Sequence, residues 1–356
     1  VEEAARENLE GAKDDANKAI DEMPHLSDEQ KDDAHKAVEE ATTEEEVNQA
    51  VEEAARENLE GAKDEANKAI DEMPYLSDEQ KDDAHKAVEE ATTEEEVNQA
   101  VEEAARENLE GAKDDANKAI DDMAYLSDEQ KDNAHKAVED ATDVAGVEQA
   151  VADAARENLE AAKDDANKAI DDMAYLSDEQ KDNAHKAVED ATDVAGVEQA
   201  VADAARENLE GAKDDANKAI DDMAYLSDEQ KDNAHKAVED ATDVAGVEQA
   251  VADAARENLE AAKDDANKAI DEMPHLSDEQ KDDAHKAVDD ATTVEEVNKA
   301  VEDVAQENLE SAKDDANKAI DEMPHLSDEQ KDDAHKAVEE ATTVEEVNQA
   351  VEEAAR

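Results

Sequence analysis

"TEEEVNQAVEEAARENLEGAKDEANKAIDEM", Thr43–Met73, is the stretch that decides the fold. Apolar residues stand at Val47, Val51, Ala54, Ala55, Leu59, Ala62, Ala66, Ala69, Ile70 and Met73. Their three- and four-residue spacing draws one stripe along a single helix. The stripe runs for 31 residues, about 46 Å at ~1.5 Å per residue. Thr43 with Glu46 reads as a capping box at its start, and Pro74 as its stop, because the residue before proline avoids helical geometry. A shorter helix follows, capped by Ser77 with Gln80 three residues on, its stripe formed by Ala84, Ala87, Val88 and Ala91. "ATT" at 91–93 then ends that helix and caps the next long one.

A long helix cannot pair along its whole length with one half as long. The simplest solution divides it, giving one half to the bundle before and the other to the bundle after. Outward from there, the pattern returns every 50 residues: the phrase "AIDEMPHLSDEQKDDAHKAV" at Ala19–Val38 recurs nearly unchanged from Ala69, Ala119, Ala169, Ala219, Ala269 and Ala319. A fixed period of this length marks a repeat array rather than separate domains. The sequence therefore predicts an all-α fold, an elongated tandem array of seven three-helix bundles sharing long continuous helices. The expected bundles are 1–56, 57–106, 107–156, 157–206, 207–256, 257–306 and 307–356.

Position 11 of each repeat is always small: Gly11, Gly61, Gly111, Ala161, Gly211, Ala261 and Ser311. Two readings stand, close approach of a neighbouring segment or tolerance of a residue that costs only ~1 kcal/mol in a helix. Every base of repeat one has an acid three or four residues earlier: Glu2–Arg6, Glu10–Lys13, Asp14–Lys18, Asp28–Lys31 and Asp32–Lys36. Such pairs are each worth ~0.2–0.5 kcal/mol on a helix surface.

Composition excludes several classes of function. With 110 acids against 36 bases, the net charge of -74 repels phosphate, so neither nucleic acid nor an anionic membrane surface is a partner. No direct membrane contact is expected, and no apolar run reaches spanning length. The chain has no cysteine, phenylalanine or tryptophan, which removes disulfides, thiolate metal sites and a large core. It opens and closes on the same words, "VEEAAR" at 1–6 and 351–356, and reads as an excerpt, a monomeric rod within a longer chain.

Candidate chemistry is sparse. His35 and its six counterparts have an acid three residues earlier (Asp32 for His35), but two ligands fall short of the three or four that zinc wants. A solvated helix residue pairing with an acid is the simpler account. His25, His275 and His325 exchange with tyrosine at one loop position, which argues against catalysis there. Adjacent acids such as Asp14–Asp15 and Asp32–Asp33 lie on helix surfaces rather than in a cleft, and no EF-hand loop is present. No catalytic, cofactor-binding or metal residue is assigned, no cofactor is expected, and the chain reads as not an enzyme.

The phrases "LSDEQK" (Leu26–Lys31) and "ATTEEEVNQA" (Ala41–Ala50) carry a family resemblance. The first recurs in every repeat and the second, with small changes, in repeats one, two, six and seven; together they resemble the openings of the second and third helices in GA-like and FIVAR-like modules of giant Gram-positive cell-wall adhesins, the extracellular-matrix-binding repeat proteins. Repeats three to five depart with "ATDVAGVEQA" (141–150, 191–200, 241–250), where Asp143 would cap instead. The resemblance implies a three-helix fold, an extracellular, cell-wall-attached location and a stalk that projects a terminal binding domain. Albumin-binding GA modules use an apolar, partly aromatic surface across helices two and three, whereas these helices turn Asp, Glu, Lys and Asn outward. The rival functions are a multivalent weak binder of a host matrix or serum protein or glycan, and an engineered consensus repeat. Tyr75, Tyr125, Tyr175 and Tyr225 are the only candidates for an exposed aromatic patch.

Overall fold

The computed structural model describes residues 2–356, apart from the side chains of Glu2 and Ala4. Among the described residues there are fifteen helices and no strand. The first is α1 (Glu2–Asp21). Short helices of 13 residues follow at α2 (Asp28–Glu40), α4 (Asp78–Glu90), α6 (Asp128–Asp140), α8 (Asp178–Asp190), α10 (Asp228–Asp240), α12 (Asp278–Asp290) and α14 (Asp328–Glu340). Between them run helices of 28 residues: α3 (Glu44–Asp71), α5 (Glu94–Asp121), α7 (Val144–Asp171), α9 (Val194–Asp221), α11 (Val244–Asp271) and α13 (Val294–Asp321). The last is α15 (Val344–Ala354). Two compact units are present, residues 1–166 with 191–197 and residues 167–190 with 198–356.

In the first unit the long helices are divided between cores as the stripe predicts. Ala16 and Ile20 of α1, Leu26, Val38 of α2, and Val47 and Ala54 of α3 form one core. Ala62, Ala66 and Ile70, on the other half of α3, join Leu76, Val88 of α4 and Val97 and Ala104 of α5 in the next. The second half of α5 then packs with α6 and the first half of α7. Within the second unit the same sharing links α9, α10 and α11, then α11, α12 and α13, then α13, α14 and α15. Each core is small, and about half of its buried residues are alanine. Its largest fully buried group is one isoleucine, Ile20 or its counterparts, worth about 1.5–3 kcal/mol on burial.

The capping residues act at both helix starts. Ser27 caps α2 with a full capping box, its hydroxyl accepting from the Gln30 N–H while Gln30 accepts from the Ser27 N–H at 2.9 Å. Thr43 accepts from the Glu46 N–H at 3.1 Å, but the expected return arm lands one residue early. The Glu46 carboxylate accepts from the Thr42 N–H at 2.6 Å and the Thr42 hydroxyl at 2.8 Å. In α7, Asp143 caps instead, taking the Gly146 N–H at 2.7 Å.

Three expectations are corrected. The long helices are 28 residues rather than 31, and end at Asp71 and its counterparts. Proline does not end them: Ala124, Ala174 and Ala224 replace it in repeats three to five, and α5, α7 and α9 stop at the same position as α3. The stop comes from what holds the loop. Lys81 Nζ donates to the last helical carbonyl, that of Asp71, at 2.9 Å; Leu76 is buried and Ser77 starts the next helix. No residue adopts positive φ among those described. The bases are also placed differently. Lys13 reaches across to the Glu39 carbonyl at the end of α2, 2.7 Å away, and Lys31 to the Asp21 carbonyl at 3.0 Å. These lysines cap carbonyl ends, where a helix carries partial negative charge, in place of the Glu10–Lys13 and Asp28–Lys31 pairs. Arg56 pairs with Glu53, three residues earlier, at 3.0 Å. The Glu2–Arg6 pair lies outside the described residues.

Candidate functional site at the junction between bundles

The middle of each long helix is where one bundle hands over to the next. In α3 the cores change between Ala54 and Ala62, and Asn58 stands between them, 1 % exposed. Its Oδ1 accepts the backbone N–H of His25, from the α1–α2 loop, at 2.8 Å. Its Nδ2 donates to Glu94 at the start of α5. The bond to the loop is repeated from Tyr75 N to Asn108, Tyr125 N to Asn158, Tyr175 N to Asn208, Tyr225 N to Asn258 and His275 N to Asn308, all at 2.9–3.0 Å. All six asparagines are buried.

The small residue three positions on completes the contact. A Cβ built on Gly61 would lie 2.5 Å from the His25 carbonyl oxygen, and one on Gly111 or Gly211 would meet the Tyr75 or Tyr175 carbonyl at the same distance. Position 11 is thus small because a loop carbonyl rests on the helix there. Gly11, which follows no earlier loop, has nothing within 4 Å. Ala161 and Ala261 occupy the position without loss of the neighbouring asparagine bond, which stays at 2.9 Å.

The tyrosines are not an exposed patch. Tyr75 packs against the core built from α5, α6 and α7, and its hydroxyl reaches Glu148 at 3.2 Å. Tyr175 does the same toward Glu248 at 3.2 Å, and Tyr225 toward Asn298 at 2.8 Å. Burial first, and the facing Glu148 or Glu248 carboxylate second, push the phenols of Tyr75 and Tyr175 above the usual range. Where histidine replaces tyrosine, the ring turns to the second half of the long helix: His25 Nδ1 lies 2.9 Å from Glu65 and His275 Nδ1 3.3 Å from Asp315.

His35 faces neither solvent alone nor Asp32. Its ring bridges α2 to α1, with Nδ1 2.7 Å from Asn17 Oδ1 and Nε2 2.9 Å from Asp21 Oδ1. The same bridge recurs at His85, His135, His185, His235, His285 and His335. Among the described residues, no three His, Asp or Glu side chains gather as a metal ion would need, and no helix is long and apolar enough to cross a membrane. The glutamates that return to the threonine pair, Glu46, Glu96, Glu296 and Glu346, are held below the usual carboxylate range. The Thr42-type backbone N–H is the first cause and the hydroxyl the second.

Two residue sets escaped the sequence reading, the buried Asn58 series and the Asn17 series. The first carried a signal. Asn58 stands in the four-residue row Ala54–Asn58–Ala62–Ala66–Ile70, a polar residue where every neighbour in the row is apolar. The second carried none, because Asn17 and Asp21 meet His35 only once α1 and α2 are packed.

Taken together, fold and junction define, within each unit, a tandem array of three-helix modules whose successive members share a helix. The GA module family model matches seven consecutive segments, 6–55, 56–105, 106–155, 156–205, 206–255, 256–304 and 306–356, and the chain belongs to that family. Among solved structures, a crystal structure of EbhA (756-1003 domain) from Staphylococcus aureus is similar at 22 % identity over 55 % of this chain and 99 % of that one, with a TM-score of 0.20. No curated protein matches.

Proposed function

We propose that this chain is the repeat region of a Gram-positive surface adhesin, extracellular and attached to the cell wall. It acts there as a stalk or spacer that projects a terminal binding domain. Membership of the GA family supports the surface setting. The observation that carries the spacer role is the use made of the tyrosines. Groups that would make a sticky patch on a binding module are spent joining one bundle to the next. With boundaries at 56/57 and every 50 residues after, a bundle can be gained or lost without altering the junctions. Repeats four and five, which differ only at Ala161 and Gly211, are what such exchange produces.

One observation favours the rival binding role. A shallow groove of about 170 Å³ lies between α2 and α3, floored by Ala34, Ala37, Ala50 and Ala54 and rimmed by Asp33, Glu53 and Glu57. It recurs between α4 and α5. Displaying three, five or seven repeats on a cell surface, with and without a known terminal binding domain, separates the two. A spacer gives capture that needs the terminal domain and improves with repeat number. Saturable capture of matrix proteins or glycans by the repeats alone overturns the spacer reading.

A further inference from the structure

We infer that the buried asparagine series, Asn58 to Asn308, sets the register of each shared helix: it selects which turn is handed from one bundle to the next. The inference concerns how the array folds and holds whether or not the chain serves as a stalk. Its basis is the row in which these residues stand. In α5 the residues facing the junction are Ala104, Asn108, Ala112 and Ala116, four apart, all buried. In α9 they are Ala204, Asn208, Ala212 and Ala216. A slide of four residues, about 6 Å along the axis, would lay alanine over alanine at the junction itself; Ile120, the next residue of the row, opposes the slide only in the bundle beyond, so at the junction apolar packing distinguishes the two registers poorly. The asparagine removes that degeneracy. Only in the observed register does the Tyr75 N–H find the Asn108 Oδ1, 2.9 Å away, while its carbonyl rests against Gly111. After a slide, an alanine methyl would stand under that N–H and leave it unbonded. The bond is half-buried, and a donor shielded from water and left without a partner is penalised. A single polar residue in an apolar seam is a well-attested way of fixing helix register.

The test substitutes one junction in the whole chain, Asn108→Ala and separately Asn108→Leu, and follows amide hydrogen exchange. Leucine restores apolar volume but not the acceptor, so packing and register separate. Both variants are expected to keep nearly full helical signal, since the other five junctions are untouched. In both, exchange at the Tyr75 amide is expected to rise about 10- to 100-fold, with faster exchange in the middle of α5 and none in α13. Wild-type protection at Tyr75 in Asn108→Leu would overturn the inference, because apolar filling would then suffice. Loss of helix throughout the chain would overturn it too, since the effect is assigned to one junction.

Discussion

Replacing Ile120 by alanine probes how far a bundle stands alone. Ile120 is fully buried, and in its core only Leu126, Val138 and Val147 are also larger than alanine and buried. The substitution removes three carbon groups, about 2.4 kcal/mol at ~0.8 each, and the residual cavity brings the loss to roughly 2–5 kcal/mol. A 50-residue module has about 2.5–7.5 kcal/mol in all, at ~0.05–0.15 per residue. One side chain therefore removes most of one bundle's stability. The junctions on either side offer one or two hydrogen bonds, such as those of the Tyr75 N–H and hydroxyl, each worth ~1 kcal/mol, and one partly buried ring. That is too little to hold the damaged bundle folded. Urea titration by far-ultraviolet circular dichroism should show an early phase carrying about one seventh of the helical signal, as expected for a one-dimensional array. Hydrogen exchange should assign that phase to the second half of α5, to α6 and to the first half of α7. A single undivided transition, shifted as a whole or unmoved, would refute the reasoning.

Position 11 gives a graded expectation. Gly111→Ala should be neutral to about 1 kcal/mol stabilising, since helix propensity improves and Ala161 shows the loop can yield; Gly111→Val should destabilise, both read from urea midpoints. The Glu96 return arm should matter only where it is ionised. Its folded value lies below the usual 4.5, so its contribution is present above that value and disappears as pH falls through the folded one. The wild-type advantage over Glu96→Gln in thermal melts should hold at pH 7 and vanish in strong acid, and an advantage that persists there would contradict the assignment. Added sodium chloride should raise the melting temperature, because a net charge of -74 repels itself and the Debye length shrinks from ~10 Å at 0.1 M to ~3 Å at 1 M. A melting temperature that falls with salt would show that paired charges outweigh the excess.

The helices and their division were legible because they rest on local, periodic signals. The stripe from Val47 to Ile70 and the caps at Ser77 and Thr93 lie within a few residues of what they control. The junction was only half legible. The small residue at Gly61 raised the question of a close neighbour, but nothing nearby in sequence says that the neighbour is a carbonyl 36 positions earlier. Lys13 looked paired with Glu10 because sequence offers only the partner on its own helix; the carbonyl at Glu39 becomes a competitor once α1 and α2 lie side by side. Proline at 74 looked decisive until alanine at 124 stopped the chain in the same place. The stop belongs to the anchored loop, a tertiary property.

A helix that serves two cores also keeps time between them. One inserted residue in α5, between Ala104 and Ala112, would turn everything downstream by about 100° about the helix axis and point Ala116 and Ile120 away from their core. A loop would absorb such an error; a continuous helix transmits it. The sequence between repeats is thus closed to small insertions and deletions and open to exchange in whole periods. The 28-residue helices from α3 to α13 keep one length through every change of residue. Unequal crossing-over between near-identical copies, which always restores the phase, is the kind of length change that such an array tolerates.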